Sequence, residues 1–163
     1  MVLYSIGHSN IDIDVFLDLL RRHSIDTLVD SRSQPYSRYS PHFNKEALSK
    51  SALEVGMEYV YLGEALGGRP EGAKYYYGSG KVDFDLLAAS PLYLSGIERL
   101  LNLAETRRVA FLCSEADFKN CHRYKLITRT LVGRGVEVSH ILHSGDLVDS
   151  HASEFESDQP SLF

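Results

Sequence analysis

Both cysteines of this 163-residue chain fall in one stretch, Val109-Ala-Phe-Leu-Cys113-Ser-Glu115-Ala-Asp-Phe-Lys-Asn120-Cys121-His122-Arg123. An ionised thiol is a nucleophile and a metal ligand, a carboxylate or imidazole moves protons, and a guanidinium holds an anion. Glu115, Cys121, Cys113 and His122 are therefore candidate catalytic groups, and Arg123 is a candidate anion ligand. Val109 to Leu112 reads as a strand, and Asn120 as the N-cap of a helix that buries Tyr124, Leu126, Ile127, Thr130 and Leu131. In an open parallel sheet, ligands bind where a strand's carboxyl end leads into a helix N-terminus. Cys121, in the first turn of that helix, is expected to be the more reactive thiol, whereas Cys113 reads equally well as a small apolar filler. Cations sit poorly at the positive end of a helix dipole, so His122 and Arg123 imply an anion nearby, with Glu115 the internal candidate.

The elements that must position this stretch alternate strand and helix. Val2 to Ile6 reads as a strand ending at Gly7, with Asn10 capping a helix whose Ile13, Phe16, Leu17 and Leu20 recur at helical spacing up to Arg22 or His23. Thr27 to Asp30 is the next strand, reached at a distance that suits a crossover between parallel strands. Arg32 and Arg38 follow in a loop rich in Pro and Ser. A second helix runs from near Asn44 to Gly56, and Glu58 to Leu62 is a third strand. Gly63 to Lys81, with many glycines and the run Tyr75 to Tyr77, reads as a long loop or lid. Its Gly78-Ser-Gly-Lys81 lacks the full spacing of a phosphate loop, and no strand precedes it. Helices follow at about Asp83 to Ala89 and Leu92 to Glu105, and Val136 to Leu142 is the last strand expected. The pattern predicts a single three-layer α/β domain over residues 1–149, with a mainly parallel, roughly five-stranded sheet and helices on both faces.

Parallel strands place the residues that follow them along one edge. That edge would gather His8 and Ser9, then Asp30, Ser31 and Arg32, then the cysteine stretch, which suits a polar or phosphorylated substrate. His8 is a candidate acid or base and equally a structural histidine, and Asp30 reads as the ion-pair partner of Arg32, with Ser9 in support. Arg32, Arg38 and Arg123 are the anion-binding set. A metal is the rival reading, because Cys113, Cys121, His122, Glu115 and His8 are all ligand types, but the cysteine spacing matches no common zinc pattern and no cofactor is expected. A reversible Cys113–Cys121 disulfide is a further alternative. A cysteine-phosphatase loop is set aside, since Lys119 stands at the offset from Cys113 where that chemistry requires Arg.

Composition narrows the class. With 44% hydrophobic and 24% charged residues the chain can bury a sizeable core, and a net charge of −5 argues against coating nucleic acid by electrostatics alone. Neither an apolar run long enough to span a membrane nor a signal peptide is seen, so no membrane partner is expected. Two cysteines are too few for a disulfide framework, and a cytoplasmic location is the expectation.

Ile6-Gly-His-Ser9, Asp30-Ser-Arg32 with Pro35 and Ser37-Arg38, Leu66-Gly-Gly68, and Cys113-x-Glu115-x5-Cys121-His-Arg123 occur in order. With these motifs the chain, from residue 2 to about 142, resembles the family known as domain of unknown function 488. The resemblance implies a small α/β domain with a polar cluster built from those motifs, and supplies no reaction.

Residues 150–163 are polar and acidic and are expected to form a flexible tail. The last five, Gln159-Pro-Ser-Leu-Phe163, resemble the short peptide by which bacterial DNA polymerases and repair proteins bind the sliding clamp, with Gln159, Leu162 and Phe163 as the contacting residues. Tethering of this kind would raise the effective concentration of an acidic protein on DNA. The function expected is an enzyme of DNA or nucleotide metabolism, a hydrolase or group transferase acting on a nucleotide, DNA or other anionic substrate. The alternatives are a non-catalytic nucleotide or DNA binding module and a metal-dependent or redox-sensing protein. The sequence leaves the oligomeric state open.

Overall fold

The structure, a computed structural model, describes residues 1–158. Five strands are parallel: β1 (Val2–Gly7), β2 (Thr27–Asp30), β3 (Glu58–Tyr61), β4 (Val109–Cys113) and β5 (Glu137–Ile141). A sixth, β6 (Leu147–Ser150), runs antiparallel beside β5, and the order across the sheet is β3-β2-β4-β1-β5-β6. Composition did not signal β6. It is made by a turn in which Gly145 adopts φ +92° and Leu142 N–H donates to Asp146, so the chain doubles back and covers the flank of β5.

Helices lie on both faces because alternate strand residues feed two separate cores. Tyr4, Ile6, Leu28, Ala110 and Leu112 point to the layer formed by α1 (Ile13–Arg22) and α2 (Lys45–Glu54), whose Phe16, Leu20, Leu48 and Ala52 are fully buried. Leu3, Val29, Val109, Phe111 and Val138 point to the other layer, which contains Leu66 of α3 (Gly63–Leu66), Leu87 of α4 (Phe84–Ala88) and Ile97 and Leu100 of α5 (Pro91–Thr106). Leu126 and Ile127 of a π-helical segment (Arg123–Thr128) and Leu131 of α6 (Arg129–Gly133) complete it.

Several local expectations change. The cap of α1 is Asp12 rather than Asn10, because Ser9 takes a positive φ of 46° and the chain makes a turn before it can enter the helix. Asn120 does not cap a helix; it closes a short 3-10 turn, Phe118–Asn120, capped by the Asp117 carboxylate. The next segment is wound as a π-helix, where the Thr128 hydroxyl donates to the Arg123 carbonyl at 2.6 Å. The glycine-rich 63–81 segment is not loop throughout, since α3 buries Leu66 and Ala73–Tyr75 form a 3-10 turn. Nor does the chain leave the domain at residue 150. Ser150 is buried in β6, Ala152–Asp158 form a 3-10 helix, and the Phe155 ring packs 4.8 Å from that of Tyr124. Gln159, Leu162 and Phe163 lie outside the described residues.

Candidate active site

β1 and β4 are neighbours, yet α1 leaves β1 on one face of the sheet while the π-helix and α6 follow β4 on the other. This is a topological switch point, the place at the carboxyl ends of neighbouring strands where open α/β sheets bind their ligands. The loops there stay in register, with His8 N–H donating to the Cys113 carbonyl at 3.1 Å and Ser9 N–H to that of Ser114 at 2.8 Å. Gly7 is required at this crossing, because any Cβ there would collide with the Glu115 carbonyl passing over it.

The first cluster joins β1 and β2. Asp30 is fully buried and receives Nε and Nη2 of Arg32 at 2.9 and 2.8 Å, the Arg32 backbone N–H at 3.1 Å and the Tyr59 hydroxyl at 2.5 Å. Arg32 Nη1 lies 3.2 Å from His8 Nε2, and His8 Nδ1 donates to the Ser9 carbonyl at 2.6 Å. Burial, aided by the Arg32 charge, lowers the His8 pKa to about 4, so the ring is neutral near pH 7. With both ring nitrogens engaged, His8 bridges the ion pair to the β1 turn. The Asp30–Arg32 pairing read from the sequence is thus present, and it consumes the guanidinium expected to hold an anion.

The second cluster surrounds Arg123, which is 1% exposed. Nη1 donates to Ser5 Oγ at 3.3 Å, and Nη2 to the carbonyls of Glu115 and Ala116 at 3.1 and 3.4 Å. Nε has no hydrogen-bond partner, and among the described residues no carboxylate lies within ion-pair distance of the group. A buried cation with only neutral acceptors is costly unless an anion joins it. A thiolate at Cys121 would be such an anion. The Cys121 thiol lies 3.7 Å from the Phe118 carbonyl, to which it donates when protonated; the neighbouring Cys113 thiol favours its ionisation, burial opposes it, and the Arg123 charge and N–H groups favour it further, which lowers its pKa to about 6. Cys113, 1% exposed and donating to the Glu115 carbonyl at 3.9 Å, moves the opposite way, its pKa raised by burial first and then by the neighbouring Cys121.

The remaining candidates scatter. His122 is partly buried and its Nε2 donates to the Ser31 carbonyl at 2.8 Å, with burial lowering its pKa to about 4; its ring covers Gly68, where a Cβ would meet it. Glu115 contributes its backbone carbonyl to Arg123, but its side chain belongs to an exposed residue and does not form the expected pair. Arg38 is exposed on the loop after β2, apart from the buried pair formed by Arg32. Among the described residues, no three His, Cys, Asp or Glu side chains converge as a metal-holding group. No described helix is long and apolar enough to cross a membrane.

Sequence reasoning passed over Ser5, His140 and Ser150. They form a chain from Arg123 Nη1 through Ser5 Oγ to His140 Nδ1 at 2.5 Å, and from His140 Nε2 to Ser150 Oγ at 2.7 Å. The His140 ring stacks on Phe118 at 3.9 Å, and burial with the Arg123 charge lowers its pKa to about 3. The available signal was a polar residue at an inward position of a buried parallel strand, in both β1 and β5.

No curated protein and no solved structure matches the chain. A family model does match, from the start of the α1 region to α6, and so takes in Asp30, Arg32, both cysteines, His122 and Arg123 but not β1 or β5. By that match over residues 12–130, the chain belongs to the family described as "Domain of unknown function DUF488".

Proposed function

We propose that this protein is an enzyme in which the Cys121 thiolate attacks an electrophilic centre of an anionic substrate, as a hydrolase or group transferase of nucleotide or DNA metabolism. One observation carries the reading: at the carboxyl edge of the sheet the thiol lies beside a buried guanidinium that has no carboxylate partner. In this scheme the Cys121 sulfur forms a bond to the substrate's electrophilic atom, and the leaving group departs with a proton supplied by Glu115 or water. A water molecule or acceptor then releases the enzyme. Arg123 holds the thiolate, and exposed Arg38 is the cation free to meet a phosphate. His8 and His122, neutral and committed to backbone and Arg32 contacts, hold the loops in place.

Turnover is measured on a panel of nucleotides, single-stranded DNA, duplex DNA and damaged duplexes. The expected result is turnover of at least one substrate that Cys121→Ser abolishes with the circular dichroism unchanged, while Glu115→Gln slows it by roughly 10²–10⁴-fold. Undiminished turnover in Cys121→Ser would remove the thiolate from the reaction, and nucleotide binding without turnover by the intact chain would favour the binding-module reading instead. In the same proposal, Gln159 to Phe163 recruit the enzyme to a sliding clamp, and deleting them should abolish clamp binding; an intact chain that does not bind the clamp removes that part.

A further inference from the structure

The loop that leaves β2 is held through its backbone and turns aromatic side chains out to solvent. Pro35 is buried, and its carbonyl receives the Lys45 N–H at 2.9 Å. The Ser37 N–H donates to Asn44 Oδ1 at 2.7 Å, and the Tyr39 N–H to Ser37 Oγ at 3.1 Å. Ser40, also buried, closes the loop by donating its hydroxyl to the Ser9 carbonyl at 3.3 Å. Between these anchors Tyr36 is 57% and Tyr39 86% exposed, and the exposed Arg38 stands between them in the chain. The Tyr36 hydroxyl donates to Glu46 at 2.9 Å, which fixes its ring in place. A single exposed ring is ordinary. Two such rings, at most about 10 Å apart along the chain and on an anchored backbone, make a surface.

The same loop borders the candidate site. His122, next to Cys121, donates to the Ser31 carbonyl at 2.8 Å, and its ring covers Gly68. Gly68 is followed by Arg69, whose backbone N–H donates to Ser33 Oγ at 2.9 Å, so a second exposed guanidinium is carried on this border. Among the described residues neither Arg38 nor Arg69 forms an ion pair. A tyrosine ring stacks on any base, and a guanidinium meets a phosphate. The loop carries no Leu, Phe or Trp of the kind that enters a bilayer.

We propose that Tyr36, Arg38, Tyr39 and Arg69 form a track for single-stranded nucleic acid, the two rings stacking on unpaired bases and the two arginines meeting phosphates. The track deepens the proposed function by naming its substrate class, and it rests on that reading only in leading the strand toward Cys121. A duplex keeps its base faces inside the helix and offers the rings nothing to stack on. Because the chain carries a net charge of −5 and Glu46 lies against Tyr36, stacking supplies more of the affinity than charge does. That is how an acidic protein holds a strand without a general basic face.

The full chain is titrated, with fluorescence anisotropy as the readout, into one short labelled sequence prepared as single-stranded DNA, as single-stranded RNA and as a blunt DNA duplex. A single strand should bind roughly tenfold or more tightly than the duplex, and the tighter of DNA and RNA identifies the strand. Tyr39→Ala should weaken that binding by roughly 5- to 150-fold, whereas Tyr39→Phe, which keeps the ring, binds as the wild type does. From 50 to 200 mM salt the affinity should fall by about sevenfold, the response to two phosphate contacts, and Arg38→Ala and Arg69→Ala should each reduce that response. Tyr39 is exposed enough for its truncation to leave the fold intact, as circular dichroism checks. Equal binding of duplex and single strand overturns the inference, as does wild-type affinity in Tyr39→Ala or no binding of any strand. If no strand binds and the wild-type chain self-associates in sedimentation while Tyr39→Ala does not, the surface belongs to a second copy and the inference falls. If a strand binds through Tyr39 and no substrate turns over, the track stands and the catalytic reading falls. If Cys121→Ser abolishes turnover while Tyr39→Ala leaves kcat/KM unchanged, the reverse holds.

Discussion

Arg32 and Arg123 are buried guanidinium groups at the same sheet edge, 4% and 1% exposed, and their surroundings are opposite. Arg32 meets a carboxylate through two of its nitrogens and a neutral imidazole through the third, so its charge is spent inside the fold. Arg123 meets a hydroxyl and two carbonyls, and its charge acts on Cys121. The difference teaches that a buried arginine is available for chemistry only to the extent that the fold withholds a carboxylate from it. One arginine fastens β1 to β2; the other, together with Cys113, makes a thiol more acidic.

The contrast is most sharply tested at Asp30. Asp30→Asn leaves Arg32 buried without its anion and should cost about 3–5 kcal/mol in denaturant unfolding. A loss under about 1 kcal/mol would erase the distinction between the two sites. Arg123→Met removes a cation that has no carboxylate and should change stability far less. It should instead move the midpoint of Cys121 alkylation from about 6 toward the ordinary thiol value near 8.5. At pH 6 the alkylation rate should fall by at most roughly tenfold, since Cys113 still favours the thiolate and its smaller fraction is partly offset by a more nucleophilic sulfur. An unmoved midpoint would mean that Arg123 does not hold the thiolate.

Acid should separate the histidines from the ion pair. His8 and His122 titrate at about 4 and His140 at about 3 in the fold, against about 6.5 in the unfolded chain. Between those values the unfolded state binds more protons, so stability rises with pH. The stability from these three groups is complete above about pH 6.5 and drains away as the pH falls through 4 to 3. His140→Gln should flatten part of that slope in urea midpoints measured from pH 7 to 4, and an unchanged slope would argue against a neutral buried ring. The smallest effect is expected for Glu115→Gln, an exposed residue: unfolding free energy within about 0.5 kcal/mol and the Cys121 alkylation midpoint nearly unchanged. A clear rise in that midpoint would return Glu115 to the electrostatics of the thiol.

The strands were legible because each is a short apolar run bounded by turn residues, and β2 was readable to both ends. The gathering of His8, Asp30, Arg32 and the cysteine stretch at one edge followed from parallel topology alone. β6 was not legible, because Leu147–Ser150 carries no apolar alternation and owes its pairing to β5 and the turn at Gly145. The docking of Phe155 was hidden in the same way, since one aromatic ring in an acidic run gains its burial from Tyr124 and the core it joins. Ser5 and His140 read as ordinary strand residues until β1 and β5 are set side by side.

What the sequence determined by itself was therefore local and periodic: which segments are strands and helices, that the sheet is mainly parallel, and which chemical groups stand at its carboxyl edge. Those features depend on the spacing of apolar residues and on turn chemistry, both of which a linear chain displays. The local pairing of Asp30 with Arg32 and the choice of Cys121 as the more reactive thiol were legible there too; only the tertiary structure decided that Arg123 is buried with no carboxylate beside it. That depends on burial and on the partner each charged group meets: Arg123, for which Glu115 was the expected partner, meets only carbonyls, a hydroxyl and the Cys121 sulfur, whereas Arg32 keeps Asp30.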